Sequence, residues 1–142
     1  MSRRGYKDGK NKREAGQYLA LPMAVLRSPC FHALSPKAVK LLLDMGSQYN
    51  GKNNGDLSAA WKIMSAKGWR SEATLNKAKK ELLGKGFLFE MRKGRLPNLC
   101  SLYAITWFAI DPSDKYDIEL KAYPYGAWKR GGPSSIRPRL VA

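Results

Sequence analysis

Asn76 and Lys77 lie in a segment whose apolar residues recur at helical spacing. The asparagine amide can form two hydrogen bonds with adenine, and a lysine ammonium can reach O6 and N7 of guanine. Ahead of them, the Ser71 hydroxyl and the free amides of a helix start can hold a phosphate. Glu72 either stabilises the helix dipole or accepts a hydrogen bond from cytosine, and the sequence leaves both roles open. We therefore predict a DNA-reading surface opposite the apolar residues, made of Arg70, Ser71, Ala73, Asn76, Lys77 and Lys80.

Two further basic segments are candidates for contacting the same nucleic acid. Arg92, Lys93 and Arg95 surround Gly94 in a short loop, where they can enter a narrow minor groove or bind the flanking phosphates. An ordinary solvent-exposed loop is the alternative interpretation. Residues 1–16 lack apolar periodicity and form a predicted flexible basic arm, in which Arg3 and Arg4 can lie along DNA. We include all five of these arginines and lysines among the predicted DNA contacts.

No residue pattern in the chain predicts catalysis, a metal ion or a cofactor. Residues 46–53 nearly match a phosphate-binding loop, but Asn53 stands where that loop needs Ser or Thr, and the segment closes a predicted helix rather than opening one. Two cysteines and one histidine do not make a metal-ligand set. The clustered acids of residues 111–119 are a weak candidate for a nuclease metal site. We expect a protein that is not an enzyme and has no cofactor.

The overall charge favours a polyanionic partner. The 142 residues include 26 Lys and Arg against 11 Asp and Glu, which gives a net charge of +15, while 44% of the residues are hydrophobic and can form a core. Residues 62–95 alone hold ten basic residues and three acids, and both ends of the chain are also basic. No apolar run approaches the roughly 20 residues that span a bilayer. We expect a cytoplasmic protein without a membrane partner.

Three helices are predicted to position the DNA-reading residues. Ser35-Pro36 is a typical helix start, and the first helix is predicted to end near Tyr49, with an apolar side made of Val39, Leu42, Leu43 and Met45. A short strand and a short helix opened by Pro22 are predicted ahead of it. Residues 57–67 form the second predicted helix, and Ser71 caps a third that runs to Leu83 and buries Leu75, Ala78 and Leu82. Two helices joined by a short glycine-containing turn are typical of a helix-turn-helix, in which the second helix enters the major groove.

A β-hairpin and an irregular tail are predicted after the helices. Residues 87–92 alternate in polarity, and residues 99–108 are rich in β-forming residues, so the basic loop 93–98 joins two predicted strands. From Asp111 onward, prolines and glycines predict irregular structure, with enough apolar residues to dock on the domain or on a partner. We therefore divide the chain into an arm (1–16), a domain (17–110) and a tail (111–142).

The segment from Asn54 to Trp107 resembles a bacterial winged helix-turn-helix domain. The resemblance rests on the glycine in the turn, Thr74-Leu75 early in the third helix, the ending Glu81-Leu82-Leu83-Gly84-Lys85-Gly86-Phe87-Leu88, and the hairpin that follows. It implies a short strand before the second helix. The longer span from Gln17 to Asp111 is similar to winged-helix proteins of phages, plasmids and integrative elements, including replication-initiator domains of the phage O-protein type. Lys79 departs from the pattern, which places an apolar residue there.

Fold and chemistry together predict an α+β winged helix-turn-helix protein, with a three-helix core and a C-terminal hairpin wing, that binds double-stranded DNA. The resemblance implies a transcriptional regulator or a factor that recognises an origin or another site of a mobile genetic element. The alternative is an interaction or inhibitor module that uses its basic face against an acidic protein or a nucleoprotein machine. The sequence leaves open a homodimer and a protein partner for the tail.

Overall fold

Helices come first along the chain, and an antiparallel hairpin follows them. The computed structural model describes residues 13–131, so the predicted contacts Arg3 and Arg4, most of the arm and residues 132–142 lie outside the described part. The elements are α1 (Met23–Leu26), α2 (Pro29–His32), α3 (Pro36–Gly46), α4 (Trp61–Ser65), α5 (Glu72–Gly84), β1 (Leu88–Arg92), β2 (Leu102–Ile105) and two 3₁₀ helices (Leu120–Ala122 and Ala127–Arg130). The predicted mixed α+β class is confirmed.

At the start of the described chain, the short helix opened by Pro22 is as predicted, whereas the strand ahead of it and the second helix are not. Residues 19–21 form no strand, and α1 begins directly after Pro22. α2 was not predicted, although its start repeats the Ser-Pro pattern of α3: the Ser28 Oγ accepts a hydrogen bond from Phe31 N at 3.1 Å, and Pro29 is the first helical residue. The same capping chemistry therefore begins two successive helices.

The start of α3 is as predicted, but its end and its buried side are not. Ser35 Oγ accepts a hydrogen bond from Ala38 N at 3.2 Å, and Pro36 is the first helical residue. The helix ends at Gly46 instead of Tyr49, and the Gln48 side chain pairs with the backbone of Ser58. The predicted apolar side is rotated, because Leu43 is 45% exposed, and the residues that α3 buries are Ala38, Leu41, Leu42, Met45 and Gly46.

The prediction of a helix from Leu57 is wrong at its start, since α4 begins only at Trp61. Leu57 is extended and forms a bridge with Tyr103, in which each backbone N–H donates to the other residue's carbonyl, at 3.1 and 2.8 Å. Because these backbone groups bond to β2, they are not available to a helical turn. The short strand implied by the resemblance is reduced to this single bridge.

The hairpin is buried on both sides of its second strand. β1 and β2 pair with Leu88 opposite Ile105 and Phe89 opposite Ala104, and the register is irregular between Glu90 and Arg92. All four residues of β2 are buried, which differs from the alternation of a strand with one face in water. One side packs on the helices in the main core, and the other belongs to a small cluster of Met91, Ala104, Tyr123, Phe89, Ile110, Tyr116 and Ile118.

Residues 111–131, which we call the packed tail, supply that second cover. They contain the two 3₁₀ helices rather than only irregular chain. Trp128 is 6% exposed and enters the main core, where its ring stacks on Phe87 with centroids 6.3 Å apart. The Tyr123 hydroxyl oxygen lies 2.8 Å from the carbonyl oxygens of both Ile105 and Phe108, so its single O–H can donate to either of them. The packed tail is thus docked on the domain.

Asn54 joins the packed tail, the loop after α3 and β2. The side chain is fully buried, and its Oδ1 accepts from Ile105 N at 2.8 Å while its Nδ2 donates to the Ile105 carbonyl at 3.1 Å and the Ala109 carbonyl at 3.0 Å. Its backbone N–H donates to Asp111 Oδ2 at 2.8 Å, and its carbonyl accepts from the Tyr116 hydroxyl at 3.1 Å. Asn54 therefore has a tertiary role.

Candidate nucleic-acid interface

α5 carries most of the predicted DNA-reading residues. Ser71 caps it, with Oγ accepting from Thr74 N at 3.2 Å, and Leu75, Ala78 and Leu82 are at most 3% exposed, all as predicted. The remaining predicted residues are exposed to solvent, and we call them the basic face of α5: Arg70, Ser71, Ala73, Asn76, Lys77 and Lys80. Residues 73, 76, 77 and 80 share one side of the helix because they are three or four positions apart.

Among residues 13–131, the lysines and arginine of this face form no ion pair with an acid. The three ion pairs found within residues 13–131 involve other lysines: Lys40 with Asp44, Lys115 with Asp56 and Lys121 with Glu119. Glu72 is exposed in the first turn of α5, where it faces the positive end of the helix dipole. Lys77 and Lys80 are therefore exposed and have no carboxylate partner in the described part of the chain.

The turn before α5 is fixed to α3 through Trp69. The indole is 5% exposed, and its Nε1 donates to Asp44 Oδ2 at 2.8 Å. Lys40 donates to the same oxygen at 2.9 Å and to the Lys67 carbonyl at 2.9 Å, with its ammonium 5.6 Å from the indole centroid. Trp69 thus belongs to the core and holds the start of α5 in place.

Glu81 fixes α5 to α3 further along the helix. One carboxylate oxygen accepts from Ser35 N at 2.7 Å and the other accepts from the Ser35 hydroxyl at 2.8 Å. An acid bound at the amino end of α3 also interacts favourably with the dipole of that helix. The carboxylate is thereby held away from the basic face of α5. Sequence reasoning did not find this contact, because the two residues are 46 positions apart.

A cleft of about 300 Å³ lies between α3 and the start of α5. Its lining includes the two lysines of α3 that also approach the Trp69 ring, in addition to the predicted Arg70 and Ser71: Lys37, Lys40, Gly68, Trp69, Arg70, Ser71 and Thr74. The cationic side chains and the helix dipole together favour a phosphate oxygen in this cleft. Sequence reasoning overlooked Lys37 and Lys40, although their spacing of three residues places them on one side of a helix.

Of the three basic residues predicted to contact DNA from the hairpin loop, two are exposed and one is half-buried. Lys93 and Arg95 are exposed, as predicted. Arg92 is half-buried, and its Nε and Nη2 donate to the Cys100 carbonyl at 3.2 and 2.8 Å. Its guanidinium therefore braces the hairpin, and Lys93 and Arg95 are the loop cations that face solvent.

Lys79, which departs from the winged-helix pattern, lies beside the ring of Tyr103. Its side chain is half-buried, and the ammonium lies 5.9 Å from the centroid of the Tyr103 ring. Lysine can cover apolar surface with its methylene stem while the charged end remains near water. Burial raises the pKa of Tyr103 to about 12. The departure at Lys79 therefore leaves the inward face of α5 as predicted.

Residues 13–131 contain neither a candidate metal-binding cluster nor a membrane-spanning helix. Within that range, no group of three or more His, Cys, Asp or Glu side chains could hold a metal ion. No helix of the same range is both long and apolar enough to cross a membrane. The chain has no significant match among protein-family models, curated proteins or solved structures.

Proposed function

We propose that this protein binds double-stranded DNA as a winged helix-turn-helix module, with α5 as the recognition helix and the hairpin as the wing. The observation that carries the proposal is the division of α5 into two sides. Leu75, Ala78 and Leu82 are buried, while the basic face of α5 is exposed and forms no ion pair within residues 13–131. An exposed helix side of this composition matches the hydrogen-bonding groups of the major groove.

The contacts that hold α5 support this role. Trp69 fixes its first turn to α3 through Asp44, and Glu81 fixes its last turns through Ser35. A helix held at both ends presents its side chains in a fixed register, so less conformational entropy is lost on binding than with a mobile segment. The Leu57–Tyr103 bridge pairs a residue before α4 with β2, at the position where the resemblance implies a short strand beside the hairpin. This pairing supports the proposed winged-helix fold.

Each part of the surface has a distinct role in this proposal. Asn76 and Lys77 read base edges in the major groove, while Arg70, Ser71 and the cleft beside them hold a phosphate. Lys93 and Arg95 of the wing bind the adjacent minor groove or its phosphates. The wider role, based on the resemblance, is transcriptional regulation or recognition of an origin or site of a mobile element.

The proposal is tested by selecting duplexes from a random pool with the purified full chain. We expect one sequence to be enriched, because base contacts discriminate among sites while phosphate contacts do not. If about 5–8 phosphates are neutralised, log affinity falls with log salt at about 0.9 per phosphate. Asn76→Ala is the matched variant for base reading, and it retains every lysine and arginine.

Two results would contradict the proposal. Binding to no duplex, or binding that does not depend on salt, would reject DNA as the partner. Strong binding to all duplexes without enrichment, together with tighter binding to an acidic protein, would favour the interaction or inhibitor module instead.

A further inference from the structure

Leu96 lies at the tip of the hairpin loop and is 97% exposed. The next most exposed large hydrophobic residue in the described chain is Tyr125, at 60%. The flanking residues Arg95 and Pro97 are exposed as well. The tip therefore combines a nearly complete apolar side chain with an adjacent cation.

The tip is braced rather than loose. Arg95 N donates to the Leu99 carbonyl at 2.8 Å, and Leu99 N donates to the Arg95 carbonyl at 2.9 Å, so residues 95–99 form a closed turn. Gly94 N donates to Ser101 Oγ at 2.8 Å. A Cβ at Gly94 would lie 2.6 Å from the Leu99 carbonyl oxygen and 2.7 Å from Ser101 N, so the two sides of the loop are in direct contact there. Leu96 is thus held at the end of a narrow, closed projection.

The size and charge of this projection fit a nucleic acid better than a protein. One leucine with a proline offers far less area than the roughly 1,000 Å² that a specific protein interface needs. The minor groove of DNA is only about 6 Å wide, and side chains such as Leu and Pro can enter it as wedges between base steps. Lys93 and Arg95 beside the tip would meet the phosphates on the two sides of that groove.

We propose that Leu96 inserts between two adjacent base pairs from the minor groove, partly unstacks them and kinks the duplex. This inference rests on the proposed DNA binding and adds a deformation that base reading by α5 does not require. A wedge of this kind bends DNA by roughly 20–90°. Steps that unstack easily, such as TA and CA, are then preferred under the wing, although no hydrogen bond reads them.

The test measures binding and bending separately, with the full chain and a duplex of about 30 base pairs that contains the selected site. Dyes at the two duplex ends report the bend by energy transfer, and 2-aminopurine at the step under the wing reports unstacking by its fluorescence. The variants are Leu96→Ala, which removes the wedge, and Leu96→Met, which retains an apolar side chain of similar size. Leu43→Ala is the control, because it makes the same change at a leucine that is 45% exposed on α3.

We expect the wild type, Leu96→Met and Leu43→Ala to bend the duplex and to raise the 2-aminopurine signal. Leu96→Ala should lose both effects while its affinity changes by less than about tenfold, because the burial of the leucine and the cost of unstacking largely offset one another. A Leu96→Ala variant that bends and unstacks like the wild type would overturn the wedge, and so would a wild type that binds without bending. Absence of any duplex binding would instead overturn the proposed function.

Discussion

The packed tail and the basic face of α5 are both segments that a sequence reader would place on the surface. The packed tail is rich in proline, glycine and acids, yet Tyr123 and Trp128 are at most 9% exposed, and it completes the cover of the hairpin. The basic face is part of a regular helix, yet none of its residues is buried. Regularity of the backbone therefore does not indicate which segment supports the fold and which is available to a partner.

This contrast separates stability from binding in the molecule. Substitutions of the buried residues of the packed tail, such as Trp128, should lower the free energy of unfolding and leave the DNA affinity of the folded protein unchanged. Substitutions on the basic face of α5 should do the reverse, because exposed polar side chains away from caps and cores contribute little to stability.

The largest effect is expected for Trp128→Ala. Removal of a ring that stacks on Phe87 inside the core should lower the free energy of unfolding by about 3–5 kcal/mol. Urea unfolding measures it, with Tyr125→Ala as the control at a tail position that is 60% exposed. Equal losses for the two variants would show that the ring is not part of the core.

Asn54→Ala should have the next largest effect, a loss of about 2–3 kcal/mol. The substitution leaves the buried backbone N–H of Ile105 without its partner, and an unsatisfied buried group costs about 1–3 kcal/mol. Asn98→Ala, in the exposed hairpin loop, serves as the control for the same chemical change. Unfolding curves that match for Asn54→Ala and the wild type would contradict the role of Asn54 as a junction.

On the basic face, Asn76→Ala should weaken binding to the selected site by about 1–3 kcal/mol and change binding to random DNA much less. The free energy of unfolding should stay within about 0.5 kcal/mol of the wild type. Competition between the selected and random duplexes measures the ratio directly. An unchanged ratio would place the reading surface elsewhere.

Lys93→Ala should have a smaller and less selective effect. It is expected to weaken binding to selected and random duplexes alike and to reduce the slope of log affinity against log salt by about 0.9, the value of one phosphate contact. Titrations at several salt concentrations test this, and Lys121→Ala, an exposed lysine of the packed tail, is the matched control. A slope that stays the same would remove Lys93 from the interface.

The smallest effect is expected from the ionisation of Tyr103 and Tyr116, which adds no pH dependence to the free energy of unfolding near neutral pH. Burial raises the pKa of Tyr103 and of Tyr116 to about 12, whereas the ordinary value of 10.0 applies to the unfolded chain. Because the unfolded state loses these protons first, the contribution of the two tyrosines to the free energy of unfolding should be constant well below pH 10 and fall as the pH rises from about 10 toward 12. Tyr116→Phe should flatten this fall, as measured by urea unfolding at a series of alkaline pH values. An equally steep fall in that variant would exclude Tyr116 as a source.

What the sequence could predict depends on how far apart the interacting residues are. Ser35 and Ser71 were identified as helix caps because a cap and its partner lie three residues apart, and the buried side of α5 follows from its own periodicity. Leu57 was misassigned because its partner, Tyr103, is on a distant strand. Glu81 and Trp128 likewise act through residues far along the chain, so their types and spacing carry no local signal.

The same distinction applies to the candidate site. Arg70, Asn76, Lys77 and Lys80 could be assigned to one surface from helical spacing alone. Lys37 and Lys40 could not be joined to them, since the cleft they share with Arg70 exists only once α3 and α5 are packed. The bond from Arg92 to the Cys100 carbonyl depends on the pairing of the two strands, so it also could not be predicted from the sequence.

The carboxylate of Glu81 has a consequence for how this protein could diversify. Because Ser35 holds that acid, the orientation of α5 is encoded by its inner side and by α3, independently of the outward residues Ala73, Asn76, Lys77 and Lys80. Codons for these four positions can therefore vary without penalty to the scaffold. A lineage could change the sequence read by the proposed recognition helix in a few mutational steps, and a library randomised at the same positions should yield folded clones.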